Sequence, residues 1–587
     1  MASAQREQKT PYYAITLTAG GDSIESLAVD SLGHSEFKPG ALFPPAEQAA
    51  AHEQPEWKFS FAQRSFTAEN SYRVGSSSLP MTLRFNPVVT HATLLALVAN
   101  RQANLPGVLY LPNQGAFRIE VASHKPVLVG YDAHRRGNGY VEVSFPAATA
   151  ENPHIAYTFT VVDIYPKLAV IDSDPRFDGF RRDYLNSLQV QAEMGVLGNH
   201  SGSDACAFAL HFYSEVARYA PPLAPGLTAM DLVRMTLDRY LAGVLAYGMP
   251  GYPMFDSPTG EIAGYKTFAA DSYPSILIAA GDYVETTHDT AWLQKSYKGL
   301  RGWTDAMLAT DTNGDGLVKY ITSGDAGDWT VRPDGYPVQR PANWWDVINF
   351  GYEDAYSNAL AYHALCQMVE LASLAGHADD AARYRERAEK LKAAYVPTFL
   401  DPQTGILAGW RSRDGKLHDY YFLWVNGAAV AYGLVDDKLG NDIFDHLLAK
   451  MRAVGYSNFE LGLPGNLIPI RREDYVHPDP RWGGSTKEDG SDGFQIYGNG
   501  GATAAFAFYT VAALYRLGRV EDGDRILLPM LKAVKNGEFE GRGPNGLTYD
   551  WKAWDGTPHG YEGFLTDNYM ILAALMLRPK DAPLPQP

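Results

Sequence analysis

The 587-residue sequence predicts an N-terminal antiparallel β-sandwich followed by an all-α (α/α)6 barrel, and three observations carry that prediction. The hydrophobic period changes from two to helical near residue 172. A long series of amphipathic segments follows. The links between them alternate between short and long, as in helical hairpins closed into a ring. A chain of this length also exceeds one ordinary core, so two or more domains are expected. The resulting boundaries are a flexible tail at 1–10, a β-sandwich domain at 11–172 and a barrel domain at 173–582.

The strands come first. Short alternating runs occur at 12–19 (YYAITLTA), 56–63, 81–89, 107–112, 117–123, 140–145 and 155–165. Gly, Pro, Asn and Ser separate them, the punctuation of antiparallel strands. The stretch HATLLALVAN at 91–100 breaks the alternation and reads as a short helix. Twelve helical segments follow, at 176–192, 205–218, 227–244, 268–286, 290–309, 352–375, 378–397, 422–435, 438–453, 500–517, 520–535 and 563–577. Some have clear start signals, such as His377-Ala378-Asp379-Asp380.

Composition narrows the function classes. The formal charge of −17 repels phosphate backbones and anionic lipid, so neither nucleic-acid nor membrane partners are expected. No apolar run approaches the roughly 20 residues that span a bilayer. The start MASAQREQKTPYY has no apolar leader segment, which points to the cytoplasm for the chain as it stands, or to the periplasm or exterior had a leader been removed. Cys206 and Cys366 both sit in apolar helical patterns and read as core residues, with no metal-binding spacing. The aromatic fraction of 12% fits a large core and equally fits sugar-stacking platforms. Phosphate-binding glycine loops and the Gly-x-Ser-x-Gly elbow do not occur, which argues against nucleotide enzymes and serine hydrolases. No cofactor is expected, and oligomeric state is not legible.

The links at 310–351, 398–421, 454–499 and 536–562 are far longer than ordinary helix connections of about 2–8 residues. Long ordered loops on a rigid scaffold usually carry function. The first opens with Asp311-Thr312-Asn313-Gly314-Asp315-Gly316, like a calcium loop, but Thr322 stands where such a loop needs glutamate. It reads as a structural turn. Further on, Asp325 and Asp328 precede Trp329. Glycosidic cleavage needs an acid for the leaving oxygen and a carboxylate opposite it. The same pair also fits a turn whose carboxylates cap backbone amides.

The run Ile321-Thr322-Ser323-Gly324-Asp325-Ala326-Gly327-Asp328-Trp329-Thr330-Val331-Arg332-Pro333 resembles the catalytic-acid loop of the six-hairpin glycosidase superfamily. The likeness is to the glucosidase domain of glycogen-debranching enzymes and to family 63 and trehalase-like α-glucosidases. It extends over roughly residues 173–580, including the C-terminal Tyr549-Asp550-Trp551-Lys552-Ala553-Trp554-Asp555-Gly556. It implies Asp325 as general acid, with Asp328 and Trp329 as sugar-binding neighbours. One position departs. Where the superfamily carries its glutamate base, this chain has Lys552, a cation that cannot deprotonate water unless its pKa falls far. Asp550, Asp555, Glu538 and Glu540 are the nearby carboxylates, and Asp550 is the chosen base.

Trp344, Trp345, Lys552, Trp554 and Asp555 are further candidates for the sugar pocket, since adjacent tryptophans in a loop rarely all bury in a core. Glu353 is another, although it also fits a helix-dipole partner. Tyr252 and Asp271 lie where the superfamily often binds the nonreducing sugar. The expected activity is an inverting, exo-acting glycoside hydrolase, acting on an α-linked glucoside or related oligosaccharide. Two rivals remain. Lys552 could hold phosphate in a phosphorylase of the helical-barrel type, or the fold could bind carbohydrate without cleaving it.

Overall fold

Period-2 runs become strands because each lays alternate side chains on one buried face. The computed structural model describes residues 6–18, 20–37, 42, 57–75, 79–85, 92–133, 141–172, 174–198, 207–247, 270–319, 343–345, 348–475, 493–533, 549–562 and 570–583. Two compact units result. One is Met1–Ala205 with Ala220–Thr236 and Ser257–Gly260, and the other is Cys206–Tyr219 with Leu237–Asp256 and Glu261–Pro587.

In the first unit β1 (Arg6–Lys9), β2 (Tyr13–Leu17) and β3 (Ile24–Val29) form a three-stranded sheet. Then come β4 (Lys58–Phe61), β5 (Ser65–Ser71), β6 (Met81–Phe85), β7 (Thr93–Leu95) and β8 (Val98–Ala99). They are followed by β9 (Gln102–Asn104), β10 (Gly107–Leu111), β11 (Gly115–Ser123), β12 (Leu128–Ala133), β13 (Val141–Phe145) and β14 (His154–Val162). One sheet runs β4-β5-β14-β11-β10-β7 and another β6-β13-β12-β9-β8. Their inner faces share an aromatic core. Phe66 stacks on Phe159 at 4.6 Å, and Phe145 of the five-stranded sheet meets Phe159 at 5.3 Å.

All seven expected strands are present. Three expectations are corrected. Arg6–Lys9 was assigned to a flexible tail but pairs with β2 as an edge strand; its four polar residues carry no alternation to read. The segment at 91–100 is β7 and β8, not a helix, because Thr93–Leu95 finds a partner in Val108–Tyr110. Residues 176–192 do not make one helix either. The helix Asp178–Asp183 is short, and a hairpin of Gln189–Gln191 and Val196–Gly198 follows. Asp183 at its end accepts the Tyr110 hydroxyl of β10 at 2.7 Å, a tertiary contact that local pattern does not encode.

The second unit is helical: α1 (Leu210–Ala217), the part of α2 (Ala229–Tyr247) from Leu237 onward, α3 (Ser272–Thr287), α4 (Thr290–Ala309), α5 (Ala355–Leu374) and α6 (Ala378–Phe399). It continues with α7 (Leu423–Ala431), α8 (Asp437–Ala453), α9 (Ala505–Arg516), α10 (Val520–Ala533) and α11 (Ile571–Met576). The odd-numbered helices close a ring, each touching the next, and α11 returns to α1. Of the even-numbered helices, α4, α6, α8 and α10 pack against inner members of that ring. The sequence dictates the layering. Every residue of Leu423–Val430 in α7 and Ala505–Tyr515 in α9 is buried, as an all-apolar helix requires. The outer α6 buries only the stripe Ala381, Tyr384, Ala388, Leu391, Tyr395 and Phe399.

Cys366, expected in the core, is half-buried on α5 and forms no disulfide, while Cys206 lies outside the described residues. Among the described residues no helix is long and apolar enough to cross a membrane.

Candidate active site

Residues 320–342 lie outside the described residues, and with them the expected Asp325, Asp328 and Trp329. Both flanks of that segment are described. The opening turn is structural, as expected. Asp311 accepts the Gly316 N–H at 3.0 Å and Asp315 the Leu317 N–H at 2.9 Å. Gly314 and Gly316 hold left-handed φ values of 71° and 100° that a side chain disfavours. The cation inside the turn is Lys319, whose buried Nζ lies 2.6 Å from Asp315, 3.5 Å from Asp311 and 3.8 Å from Glu353. Arg387 of α6 reaches Asp311 from elsewhere at 2.8 Å. A buried ammonium persists only with such partners.

The N-terminus of α5 grips both flanks. Asn358 accepts the Val318 N–H at 2.8 Å and donates to the Val318 carbonyl at 2.9 Å. Asp354 caps the helix, accepting the N–H groups of Tyr356 and Ser357 at 2.9 and 3.1 Å and the Ser357 hydroxyl. It also accepts the Asn343 amide at 3.1 Å, and Asn343 in turn accepts the Trp345 N–H at 2.9 Å. Burial pushes the Asp354 carboxyl up to about 7, against the pull of these donors. Its lone pairs are engaged, so it fixes geometry rather than shuttling protons. Of Glu353 and Asp354, which the sequence offers together as dipole partners of α5, Asp354 caps the helix. Glu353 is 3% exposed, lies 3.6 Å from Arg411, and has its pKa raised by burial. Asp271, at the start of α3, is fully buried and accepts the Trp344 N–H at 2.8 Å.

Trp344 and Trp345 are 6% and 2% exposed, which corrects the expectation that adjacent loop tryptophans stay out of a core. The inner helices supply the reason. Trp345 stacks on Phe506 of α9 at 4.5 Å and on Trp424 of α7 at 4.8 Å, and its indole N–H donates to the Gly498 carbonyl at 2.7 Å. Trp344 lies 5.7 Å from Trp424, and Trp551 lies 5.1 Å from Phe506. Together they form an aromatic floor. A Cβ on Gly465 would come 2.0 Å from the Trp345 ring, so only glycine fits there. Phe350, Gln495 and Tyr497 hold positive φ values of 47°, 72° and 45° around this floor. Such conformations cost about 1–3 kcal/mol each and concentrate at functional sites.

The C-terminal motif is a β-hairpin, Tyr549–Lys552 with Pro558–Glu562, which pairs through Lys552 to Ala502. Lys552 is buried at 1% exposure. Trp554 donates to the Gly500 carbonyl at 2.7 Å. Asp555 is exposed and caps the hairpin turn, accepting the Thr557 N–H at 2.9 Å. Only the backbone of Asp550 is described, and Tyr252, Glu538 and Glu540 lie outside the described residues.

Residues 238–457 match the family model of the bacterial alpha-L-rhamnosidase six-hairpin glycosidase domain. Over that span the chain is similar to a six-hairpin glycosidase domain. The matched span takes in Asp271, the 311–319 turn, Asn343, Trp344, Trp345 and Asp354. No curated protein matches the chain. Solved structures with low similarity include a GH78 family rhamnosidase of Bacillus sp. GL1, at 13% identity and a TM-score of 0.46, covering 89% of this chain and 47% of that one. A rhamnosidase from Klebsiella oxytoca with rhamnose bound has 12% identity and a TM-score of 0.46, covering 98% and 96%. The alpha-L-rhamnosidase from Aspergillus terreus has 12% identity and a TM-score of 0.44, covering 85% and 54%. The chain thus spans about half the length of the Bacillus and Aspergillus enzymes and nearly all of the Klebsiella one.

The structure adds neighbours of the candidate residues that the sequence reading missed: Asn343, Asn358, Trp424 and Phe506. Asn343 directly precedes the tryptophan pair and could have been noticed for it. Trp424 and Phe506 sit in all-apolar helices, where no local signal separates a site wall from ordinary core.

Proposed function

We propose that the chain is a glycoside hydrolase that removes a terminal α-linked sugar with inversion, and that α-L-rhamnosides are its substrate class. The description of the family matched by residues 238–457 is the observation that carries the sugar. An aromatic floor of Trp344, Trp345, Trp424, Phe506 and Trp551 supports it, since a 6-deoxy sugar presents a methyl group that packs on apolar faces. In the proposed reaction Asp325 protonates the bridging oxygen as the anomeric bond breaks. Asp550 takes a proton from the water that attacks the opposite face, which calls for a carboxyl separation of about 6.5–9.5 Å. Four links far longer than ordinary helix connections in the sequence support a pocket and exo action.

The test compares aryl α-L-rhamnoside with aryl α-glucoside, the class suggested by the sequence resemblance, and follows the first-formed sugar by NMR. Preferred cleavage of the rhamnoside with inverted product is expected. Asp325→Asn should lower kcat about 10²–10⁴-fold with an unchanged melting temperature. Faster cleavage of the glucoside would overturn the sugar, and a retained anomer would overturn the mechanism. A second reading, phosphorolysis, is kept by the buried Lys552 at the base position. Turnover that requires inorganic phosphate and yields a sugar phosphate would establish it.

A further inference from the structure

The β unit carries an open cleft of about 810 Å3, within the size range of small-molecule sites. Its walls include Glu7 and Gln8 on β1, Asp22 in the β2–β3 turn, and Trp57, Phe59 and Phe61 at and along β4. Strands β1 and β4 are each the outermost member of their sheet, so the cleft lies between two sheet edges. Those edges are tied together. The Tyr13 hydroxyl of β2 lies 2.7 Å from the Ala62 carbonyl and 3.0 Å from the Ser65 carbonyl, in the β4–β5 turn. The Arg64 guanidinium also covers the Tyr12 ring at 4.2 Å. The cleft is therefore formed before any ligand arrives.

Its chemistry is two-sided. Phe59 and Phe61, two residues apart on β4, share one strand face, and Phe61 is 37% exposed. Edge strands normally protect themselves with charge, as the sequence REQK of β1 does. An exposed Phe61 ring beside a half-buried Phe59 on the opposing edge needs another reason. Aromatic faces pack on the C–H faces of a pyranose, while carboxylates and an amide accept and donate to its hydroxyls. Two carboxylates, Glu7 and Asp22, against one cation, Lys58, suit a neutral ligand and oppose an anionic one.

We propose that this cleft is a second, non-catalytic saccharide site that takes a neutral oligosaccharide chain across Phe59 and Phe61. It goes beyond the proposed cleavage reaction and does not depend on which sugar the barrel cleaves. The test uses the full chain in native gels containing galactomannan, mixed-linkage β-glucan or soluble starch, with polygalacturonate as the anionic control. At least one neutral polymer should retard the protein, and Glu7→Ala/Phe61→Ala should weaken that retardation about tenfold in Kd. Hydrolysis of the preferred aryl glycoside should be unchanged in the same variant. Both side chains are exposed, so its melting temperature should stay within about 2 °C. If it melts early, Phe61→Ala alone replaces it in the comparison. No retardation by any neutral polymer, equal retardation of the variant, or retention only by polygalacturonate would each overturn the proposal. So would binding of an extended peptide along the strand edges in place of the polysaccharides.

Discussion

Asp354 shows how a buried carboxylate can serve a site without reacting in it. Four donors converge on it, one of them from Asn343 on the far flank of residues 320–342. Removing that donor should release one flank while leaving the helix cap. Asn343→Ala is expected to lower kcat about tenfold with KM changed less than about twofold. A hydrogen bond to a charged or buried acceptor is worth about 1.5–3 kcal/mol, so the melting temperature should also fall by a few degrees. Because the two side chains share one contact, Asp354→Asn added to Asn343→Ala should cost less than the sum of the two single losses. Wild-type kcat in Asn343→Ala, with Asp325→Asn inactive, would show that this grip does not position the acid. At this scale the sequence revealed residue types but not their company. Trp344 and Trp345 were legible as candidates, yet only their partners on α7 and α9 show them buried.

Helices α1 and α3 are joined by an ionic cluster that makes their packing sensitive to pH. Arg218, beside the end of α1, lies 3.2 Å from Asp282 of α3 and 3.8 Å from Glu215 of α1. Ser214 donates to Asp282 at 2.6 Å. Burial first, and then the neighbouring Asp282, pushes Glu215 up to about 8; burial raises Asp282 to about 6 despite Arg218. Both carboxyls are raised above their unfolded values. Their stabilising contribution is therefore complete below about pH 4 and is lost as pH climbs through about 6 and then 8. Glu215→Gln fixes the neutral form. Its melting temperature should match the wild type near pH 4.5 and exceed it by about 2–4 °C at pH 8. Glu215 keeps 13% of its side chain accessible, and water there limits the gain. A difference that is constant across pH would remove Glu215 from this role.

Closure of the ring belongs to the molecule as a whole, because the last inner helix must meet the first. Helix α11 does so against α1, and Arg578 just beyond it is bolted to α10. Its guanidinium meets Asp524 in a two-pronged contact at 2.9 and 2.8 Å, and Asp524 also accepts the Tyr515 hydroxyl at 2.7 Å. Breaking a buried pair of this kind leaves a charge without its counter-ion, at a cost of about 3–5 kcal/mol. Arg578→Ala should therefore lower the melting temperature by several degrees, more than Lys438→Ala, which breaks an exposed pair on α8. Equal melting temperatures for the two variants would show that the end of the chain does not secure the ring.

The sequence by itself determined the change from strand to helix, the existence of most helices and the loops to inspect, because these rest on periodicity and composition along the chain. The structural reading of the Asp311–Gly316 turn was also legible there, from the missing glutamate. Tertiary structure decided what depends on partners distant in sequence. Thr93–Leu95 became a strand because Val108–Tyr110 offered an edge, and Arg6–Lys9 left the tail because β2 did. Glu353 and Lys319 are buried together only because a turn and a helix end converge on them. Trp424 and Phe506 join the buried aromatic cluster around Trp344 and Trp345 only because the ring brings α7 and α9 side by side. A one-dimensional pattern records which face of an element is apolar; only the closed packing records which other face it meets.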